Sequence, residues 1–141
     1  MKIIQILLVS TILGSAAVAT ASASALKLIA NESVTASSVS ADEVKDAFLE
    51  NAPNLGSGGH VVLVLEKGGP AHEEFLKEYL KKTDVALLTY YRSLVFTGKG
   101  TMPKMLNTDD EVVAFVAKTK GAVGYVSAET PAPGTKTIHV K

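Results

Sequence analysis

The sequence predicts an α/β domain in which a mixed, partly parallel β-sheet is covered by helices. Two observations favour this fold class. Apolar segments with strand character alternate along the chain with amphipathic segments that begin with helix-capping residues. The run Val61–Leu65 is apolar without interruption, which is typical of a strand that helices bury on both faces.

The N-terminal segment has the pattern of a secretory signal peptide. A basic start is followed by the apolar run Ile3–Val9 and then by small residues. The run is too short to span a bilayer comfortably, which disfavours an uncleaved anchor helix. We therefore expect a signal peptide over residues 1–25, a single domain over residues 26–141 and a periplasmic or secreted location. Cleavage is expected after one of three Ala-x-Ala motifs, which end at Ala21, Ala23 and Ala25.

The composition limits the functional classes. The chain has 14 basic and 14 acidic residues, and this balance argues against a nucleic-acid-binding face. It contains no Cys, which excludes disulfides and a lipid-modified Cys and suits a folded domain of the bacterial periplasm.

The predicted domain begins with a strand and a capped helix. Leu26–Asn31 is short and partly alternating, which indicates a strand, and the Ser/Thr-rich segment Glu32–Val39 is predicted to be a loop. Ser40 and Glu43 form a capping box, which predicts a helix over Ala41–Leu49.

A strand, a glycine turn and a second helix follow. Asn51–Gly59 contains Pro and three Gly residues and is predicted to be a loop, and His60–Glu66 is predicted to be the central strand. Gly68-Gly69 lets the backbone turn sharply, and Pro70 suits the first helical position. The helix is predicted over Ala71–Lys82.

The next predicted helix spans Asp84–Leu94, with Thr83 or Asp84 as its N-cap. The segment Phe96–Pro103 is rich in Gly and Pro, and we expect it to be a loop.

The last part of the chain predicts a helix and two strands. Thr108–Glu111 repeats the capping-box pattern, and its helix is expected to end near Gly121. Ala122–Val126 is predicted to be a strand in which Gly124 marks a bulge or the close approach of another backbone. Lys136–Val140 alternates and is predicted to be the final strand.

The sequence offers no catalytic constellation. It has no Cys nucleophile and no G-x-S-x-G motif. The spacing of the three His residues matches no zinc motif, and His72 is expected to be an exposed residue in the first turn of a helix. We therefore predict no enzymatic activity, no metal and no cofactor. The three residues are His60, His72 and His139.

A set of residues suited to anion binding remains. Backbone amides near two glycines ahead of a helix can bind an anion, Arg can hold an oxyanion with two hydrogen bonds, and Lys supplies a point charge. The alternatives are a plain loop, an Arg paired with an acid and solvated lysines. The candidates are Gly68, Gly69, Arg92, Thr97, Lys99 and Lys104.

Several segments in this order resemble small proteins related to phosphate ABC-transporter substrate-binding proteins, which belong to the type 2 periplasmic-binding-protein superfamily. The resemblance lies in residues 31–48, the strand–glycine–helix segment ending at Phe75, Tyr91–Gly100 and Thr119–Val126. It covers nearly all of residues 26–141 and implies the fold of a single lobe, whereas full members close two lobes over a ligand.

The resemblance also implies a ligand site. It maps the family's phosphate-binding Ser-Gly-Thr turn onto Gly69, Pro70 and Ala71, so both hydroxyls are missing and Pro70 removes one amide donor. The implied groove is bounded by the Gly68-Gly69 turn and the Thr97–Lys99 loop. The predicted ligand-binding residues are Gly68, Gly69, Ala71, Arg92, Thr97 and Lys99.

Two functions follow from these patterns. The first is a periplasmic substrate-binding-protein-like domain that binds phosphate or another small anion for ABC-type uptake, with a homodimer or an ABC permease supplying the missing wall. The alternative is a protein–protein interaction module of the cell envelope that kept the fold and lost the ligand site.

Overall fold

The computed structural model describes residues 25–49, 53–56 and 59–141. The predicted signal peptide lies outside the described residues except for Ala25, as does part of the predicted loop over Asn51–Gly59. The described helices are α1 (Ala41–Leu49), α2 (Pro70–Phe75), α3 (Asp84–Phe96) and α4 (Asp109–Lys118). The described strands are β1 (Leu26–Asn31), β2 (Ser38–Val39), β3 (Val62–Glu66), β4 (Lys104–Leu106), β5 (Ala122–Ser127) and β6 (Thr135–Val140).

The strands form one mixed sheet in the order β2-β6-β1-β5-β3-β4. β3 runs parallel to both β4 and β5, and β2 runs parallel to β6, whereas β1 is antiparallel to β5 and β6. The predicted mixed, partly parallel sheet is therefore confirmed. β3 has a neighbouring strand on each side, but it is the second strand from one side of the sheet. It is therefore not the central strand that its apolar run predicted.

Two strands were missed by the sequence patterns. β2 lies in the segment Glu32–Val39 that was predicted to be a loop, and β4 follows the Gly/Pro-rich loop. Both are short, with 2 and 3 residues. Pairing with a neighbouring strand, rather than a hydrophobic period of their own, holds such short segments in the sheet.

The capping residues act as predicted, with one shift in register. The Ser40 hydroxyl accepts the N–H of Glu43 at 3.1 Å, and the Glu43 carboxylate accepts the N–H of Ser40 at 2.7 Å. At α4 the Thr108 hydroxyl accepts the N–H of Glu111, but the Glu111 carboxylate accepts the N–H of Asn107. The structure selects Thr83 as the N-cap of α3, where its hydroxyl accepts the Ala86 N–H. α3 then continues to Phe96, two residues beyond the prediction.

The helix predicted over Ala71–Lys82 changes its winding. It is α-helical over Pro70–Phe75 and then π-helical over Leu76–Leu80, and it ends at Lys81 with φ at 54°. The wider turn buries Leu76 and Leu80 together, and the left-handed residue closes the helix.

Helices cover both faces of the sheet and enclose two apolar clusters. On one face the core contains Phe48, Phe75 and Tyr125, with the last two rings stacked at a centroid distance of 4.0 Å. On the other face Val64 of β3 packs against α4 through Val112. Burying each side chain of this size contributes about 1.5–3 kcal/mol.

Gly124 marks a close approach, but not of a backbone. A Cβ atom added there would lie 2.9 Å from Cγ1 of Val112 and 3.4 Å from Cβ of Val64. The missing side chain of Gly124 therefore lets α4 pack directly on β5.

Candidate functional site

The carboxyl ends of β3 and β5 form the edge of the sheet at which α2, α3 and α4 begin. The N–H of Ser127, at the end of β5, donates to the carboxylate of Asp109, the first residue of α4. His72 of α2 lies 2.9 Å from the carboxylate of Asp84, the first residue of α3. Ligands of open α/β sheets bind outside the carboxyl ends of parallel strands, so this edge is the candidate site.

The Gly68-Gly69 turn is the open part of this edge. Gly69 adopts φ 95° and precedes Pro70, and no side chain caps the start of α2. A Cβ atom at Gly68 or Gly69 would meet nothing within 4 Å, so the turn borders open space. Pro70 has no N–H, and the side chain of Ala71 is buried. The backbone amide of Ala71 is therefore its only group suited to a ligand.

Glu66 and Asp109 form a carboxyl pair beside the turn. Glu66 is 2% exposed, and its Oε1 has no hydrogen-bond partner within the described chain. Burial raises the pKa of Glu66 to about 9, and a hydrogen bond with Asp109 and the Asp109 charge contribute to the increase. Hydrogen bonds from Glu66, Thr130 and Ser127 lower the pKa of Asp109, although partial burial opposes this. At neutral pH the pair therefore holds one proton, on Glu66, and one negative charge, on Asp109.

A buried polar chain joins the same edge from the other face of the sheet. The Tyr125 hydroxyl accepts the N–H of Glu66 at 3.0 Å, which leaves its proton for Nδ1 of His72 at 2.6 Å. Nε2 of His72 then donates to Asp84 at 2.9 Å. These bonds join the end of β3 to the starts of α2 and α3.

The hydrogen-bonded series Tyr125–His72–Asp84 has the order hydroxyl–imidazole–carboxylate, but it is not arranged for catalysis. Tyr125 and His72 are 0% and 2% exposed, and burial raises the pKa of the Tyr125 hydroxyl far above its ordinary value. A substrate has no access to that oxygen. The expectation that His72 is exposed was wrong, because its ring packs against the Tyr125 ring and satisfies both nitrogens inside the core.

The structure does not bring the two halves of the predicted groove together. Asp84, at the start of α3, lies at the candidate site, whereas Thr97 caps the other end of α3 through a bond to the Ser93 carbonyl. The 13 residues of α3 extend about 20 Å. Arg92 and Lys99 are exposed in the last turns of α3 and just after it. Only Gly68, Gly69 and Ala71 of the predicted set lie at the carboxyl edge.

The opposite end of β3 borders a separate cavity of about 210 Å³. The first residues of β3, the end of α3 and the loop before β4 line this cavity, with Lys104 and His60 among its polar groups. Lys104 Nζ also lies 5.8 Å from the centroid of the Phe115 ring. Lys104 lies opposite Val64, in the middle of β3, and it borders this cavity rather than the Gly68-Gly69 turn.

The described residues contain no group of three or more His, Cys, Asp or Glu residues placed to hold a metal ion. No described helix combines the length and apolarity that crossing a membrane requires.

Sequence reasoning missed the Glu66–Asp109 pair and the Tyr125–His72–Asp84 chain. The available signal for the first was an acidic residue at the end of an apolar run, directly before the glycine turn. The second gave no signal, because its members are joined only by packing between distant segments.

No family model and no curated protein matches this chain. Solved structures do. A protein from Clostridium perfringens, described as a phosphate ABC transporter substrate-binding protein with bound phosphate, aligns with a TM-score of 0.61 at 15% identity over 82% of this chain and 44% of its own. An ABC-type phosphate transport receptor from Vibrio cholerae aligns with a TM-score of 0.57 at 12% identity, over 82% and 46%. PstS from Borrelia burgdorferi aligns with a TM-score of 0.58 at 10% identity, over 83% and 47%.

These likenesses confirm the predicted resemblance at the level of the fold. The aligned part is less than half the length of each neighbour, as expected for one lobe of a two-lobed protein. The neighbours are described as binding and transport proteins rather than as enzymes.

Proposed function

We propose that this chain is a substrate-binding-protein-like domain that binds a small anion, with phosphate as the first candidate, at the Gly68-Gly69 turn. The observation that carries the proposal is an open, uncapped turn at the carboxyl end of a parallel strand, in a fold shared with a protein crystallised with bound phosphate. Exposed Lys67 directly precedes the turn and adds a cation. Glu66 adds no negative charge while it keeps its proton.

The same geometry predicts weak binding. Gly69 and Ala71 replace the hydroxyl-bearing residues of the resembled turn, and Asp109 keeps a negative charge at this edge. A single lobe covers a ligand from one side only, whereas tight sites bury most of the ligand surface. In this proposal the second wall comes from a second copy or from an ABC permease at the periplasmic face of the membrane.

The test is isothermal titration of the purified chain with phosphate, with sulfate for comparison, at low salt. Gly68→Asp places a carboxylate in the open space of the turn without a positive φ to strain it. We expect it to weaken binding about tenfold or more by repelling the anion. Gly68→Asn is the matched control, because it adds the same volume without the charge. Equal affinities for the two variants would exclude the turn as the site.

The remote residues of the predicted set provide a second comparison. Arg92→Ala and Lys99→Ala remove cations at the far end of α3, so we expect both variants to keep phosphate binding. A loss comparable to that of Gly68→Asp would move the site to that end of the helix.

The second candidate function is a protein–protein interaction module of the cell envelope. It is favoured because the starts of α3 and α4 are already capped by Thr83 and Thr108, and Asp109 makes the edge acidic. Absence of heat and of a thermal shift at millimolar phosphate and sulfate would favour this function. A pull-down from envelope proteins with the purified chain, in the absence of phosphate, would test it directly.

A further inference from the structure

Three of the five exposed large apolar side chains of the described residues lie at or just after the C-terminal end of α3. Phe96 is 93% exposed, Val95 is 50% exposed and Met102, in the following loop, is 39% exposed. Together with Arg92 they line one shallow depression. We call Arg92, Val95, Phe96, Lys99 and Met102 the α3 tip. Scattered apolar residues are normal on a protein surface, but three adjacent ones indicate a binding surface.

The α3 tip is also cationic. No Asp or Glu occurs between Asp84 and Asp109, and that segment contains Arg92, Lys99 and Lys104. No acidic side chain lines the depression at the tip or the neighbouring cavity at the start of β3, as far as the chain is described. An apolar surface with unopposed positive charge complements an anionic, partly apolar partner.

We infer that the α3 tip docks this chain on the surface of an anionic phospholipid membrane. Phe96 enters the interfacial region, where amphipathic and aromatic side chains are favoured, and Arg92 and Lys99 approach the lipid phosphates. An anionic bilayer supplies both required chemistries, negative charge and apolar volume.

The exposure of Phe96 favours a lipid surface over a protein partner. The side chains that dominate protein interfaces are buried in well-packed pockets of the complex, so a protein partner would have to offer Phe96 a fitted pocket. Phe96 is 93% exposed, so nearly its whole ring is available to a partner. A fluid bilayer can take up this ring without a complementary pocket.

The position of the tip separates docking from the candidate anion site. The tip and the Gly68-Gly69 turn lie at opposite ends of α3, so a docked chain leaves the turn facing water. Docking goes beyond the proposed anion binding and does not depend on it. Failure of either one leaves the other standing.

Vesicle co-sedimentation tests the inference. The purified chain is mixed with vesicles of phosphatidylglycerol and phosphatidylethanolamine, or with vesicles of phosphatidylcholine alone. We expect weak, salt-sensitive binding to the anionic vesicles only. Every variant carries the same N-terminus, so Ile3–Val9 contributes equally to all of them.

Matched variants locate the contact. Phe96→Ser is expected to lower the partition coefficient about tenfold or more, and Lys99→Gln about fivefold. Val85→Ser is the control, because Val85 is 75% exposed at the other end of the same helix. Circular dichroism is the check that all three variants keep the fold.

Three results would overturn the inference. The first is equal binding to the two kinds of vesicle, and the second is equal binding of Phe96→Ser and Val85→Ser. The third is binding to native envelope vesicles that is lost after protease treatment and absent from pure lipid, which would assign the tip to a protein partner.

Discussion

The buried carboxyl of Glu66 predicts that this protein loses stability as the pH rises through neutrality. Its pKa is about 9 in the folded chain and near 4.5 when solvated. A carboxyl group whose pKa is higher in the folded state than in the unfolded state contributes its full stabilisation at pH values below the unfolded pKa. This contribution is lost as the pH rises towards the folded pKa. Between these values unfolding releases one proton, so the free energy of unfolding falls by about 1.4 kcal/mol per pH unit. The loss between pH 5 and pH 7 is about 3 kcal/mol.

Asp109 does not cancel this slope. Its pKa is lowered from 3.8, so its contribution is present above that value and is lost only as the pH falls further. The pH range in which Asp109 changes the stability therefore lies below the range in which Glu66 does. The predicted slope requires only that the folded pKa of Glu66 lie above the range measured.

Urea unfolding from pH 5 to pH 8 measures the effect. Glu66→Gln keeps the shape of the neutral carboxyl and a donor for Asp109, but it has no proton to release. In the wild-type chain we expect the free energy of unfolding to fall with pH by the amount that Glu66 contributes. In Glu66→Gln we expect this contribution to be absent. Exposed Glu32→Gln is the control, and it should keep the wild-type slope. Parallel pH profiles for wild type and Glu66→Gln would refute the assignment of a buried, protonated Glu66.

Three further predictions concern packing and hydrogen bonds, and urea unfolding at fixed pH checks each of them. Gly124→Ala should cost about 1–3 kcal/mol, because its methyl group would lie 2.9 Å from a side-chain carbon of α4, whereas Gly68→Ala meets open space and should cost less than half as much. His72→Phe should cost about 1–3 kcal/mol by leaving the Tyr125 proton without an acceptor, and an unchanged free energy of unfolding would contradict that hydrogen bond. Thr83→Ala should cost about 1 kcal/mol through the lost N-cap of α3, and a change below a few tenths would contradict the capping role.

Local signals predicted most of the helix starts and strands. Ser40 and Glu43 satisfy each other within one helical turn, so four consecutive residues contain the whole interaction. β1 was predicted with its observed limits because its own residues are mostly apolar and partly alternate. β2 and β4 were not predicted, because these short strands depend on pairing with strands that are distant in the sequence.

The candidate site was predicted less well for the same reason. The Gly68-Gly69 turn can be recognised from its residues alone. The partner of Glu66 is Asp109 and a partner of His72 is Tyr125, and both come from distant segments of the sequence. Arg92 and Lys99 were grouped with the turn by their chemistry. The length of α3 separates them from it, and this length follows from the chain continuing helically to Phe96.

The pairing of the first and last described strands has a practical consequence for protein engineering. Leu28 lies opposite Ile138 and Asn31 opposite Thr135 in the antiparallel register of β1 and β6. The start of β1 and the end of β6 therefore leave the sheet side by side. A unit with adjacent ends can be spliced into a surface loop of a host protein while the host chain continues from nearly the same point.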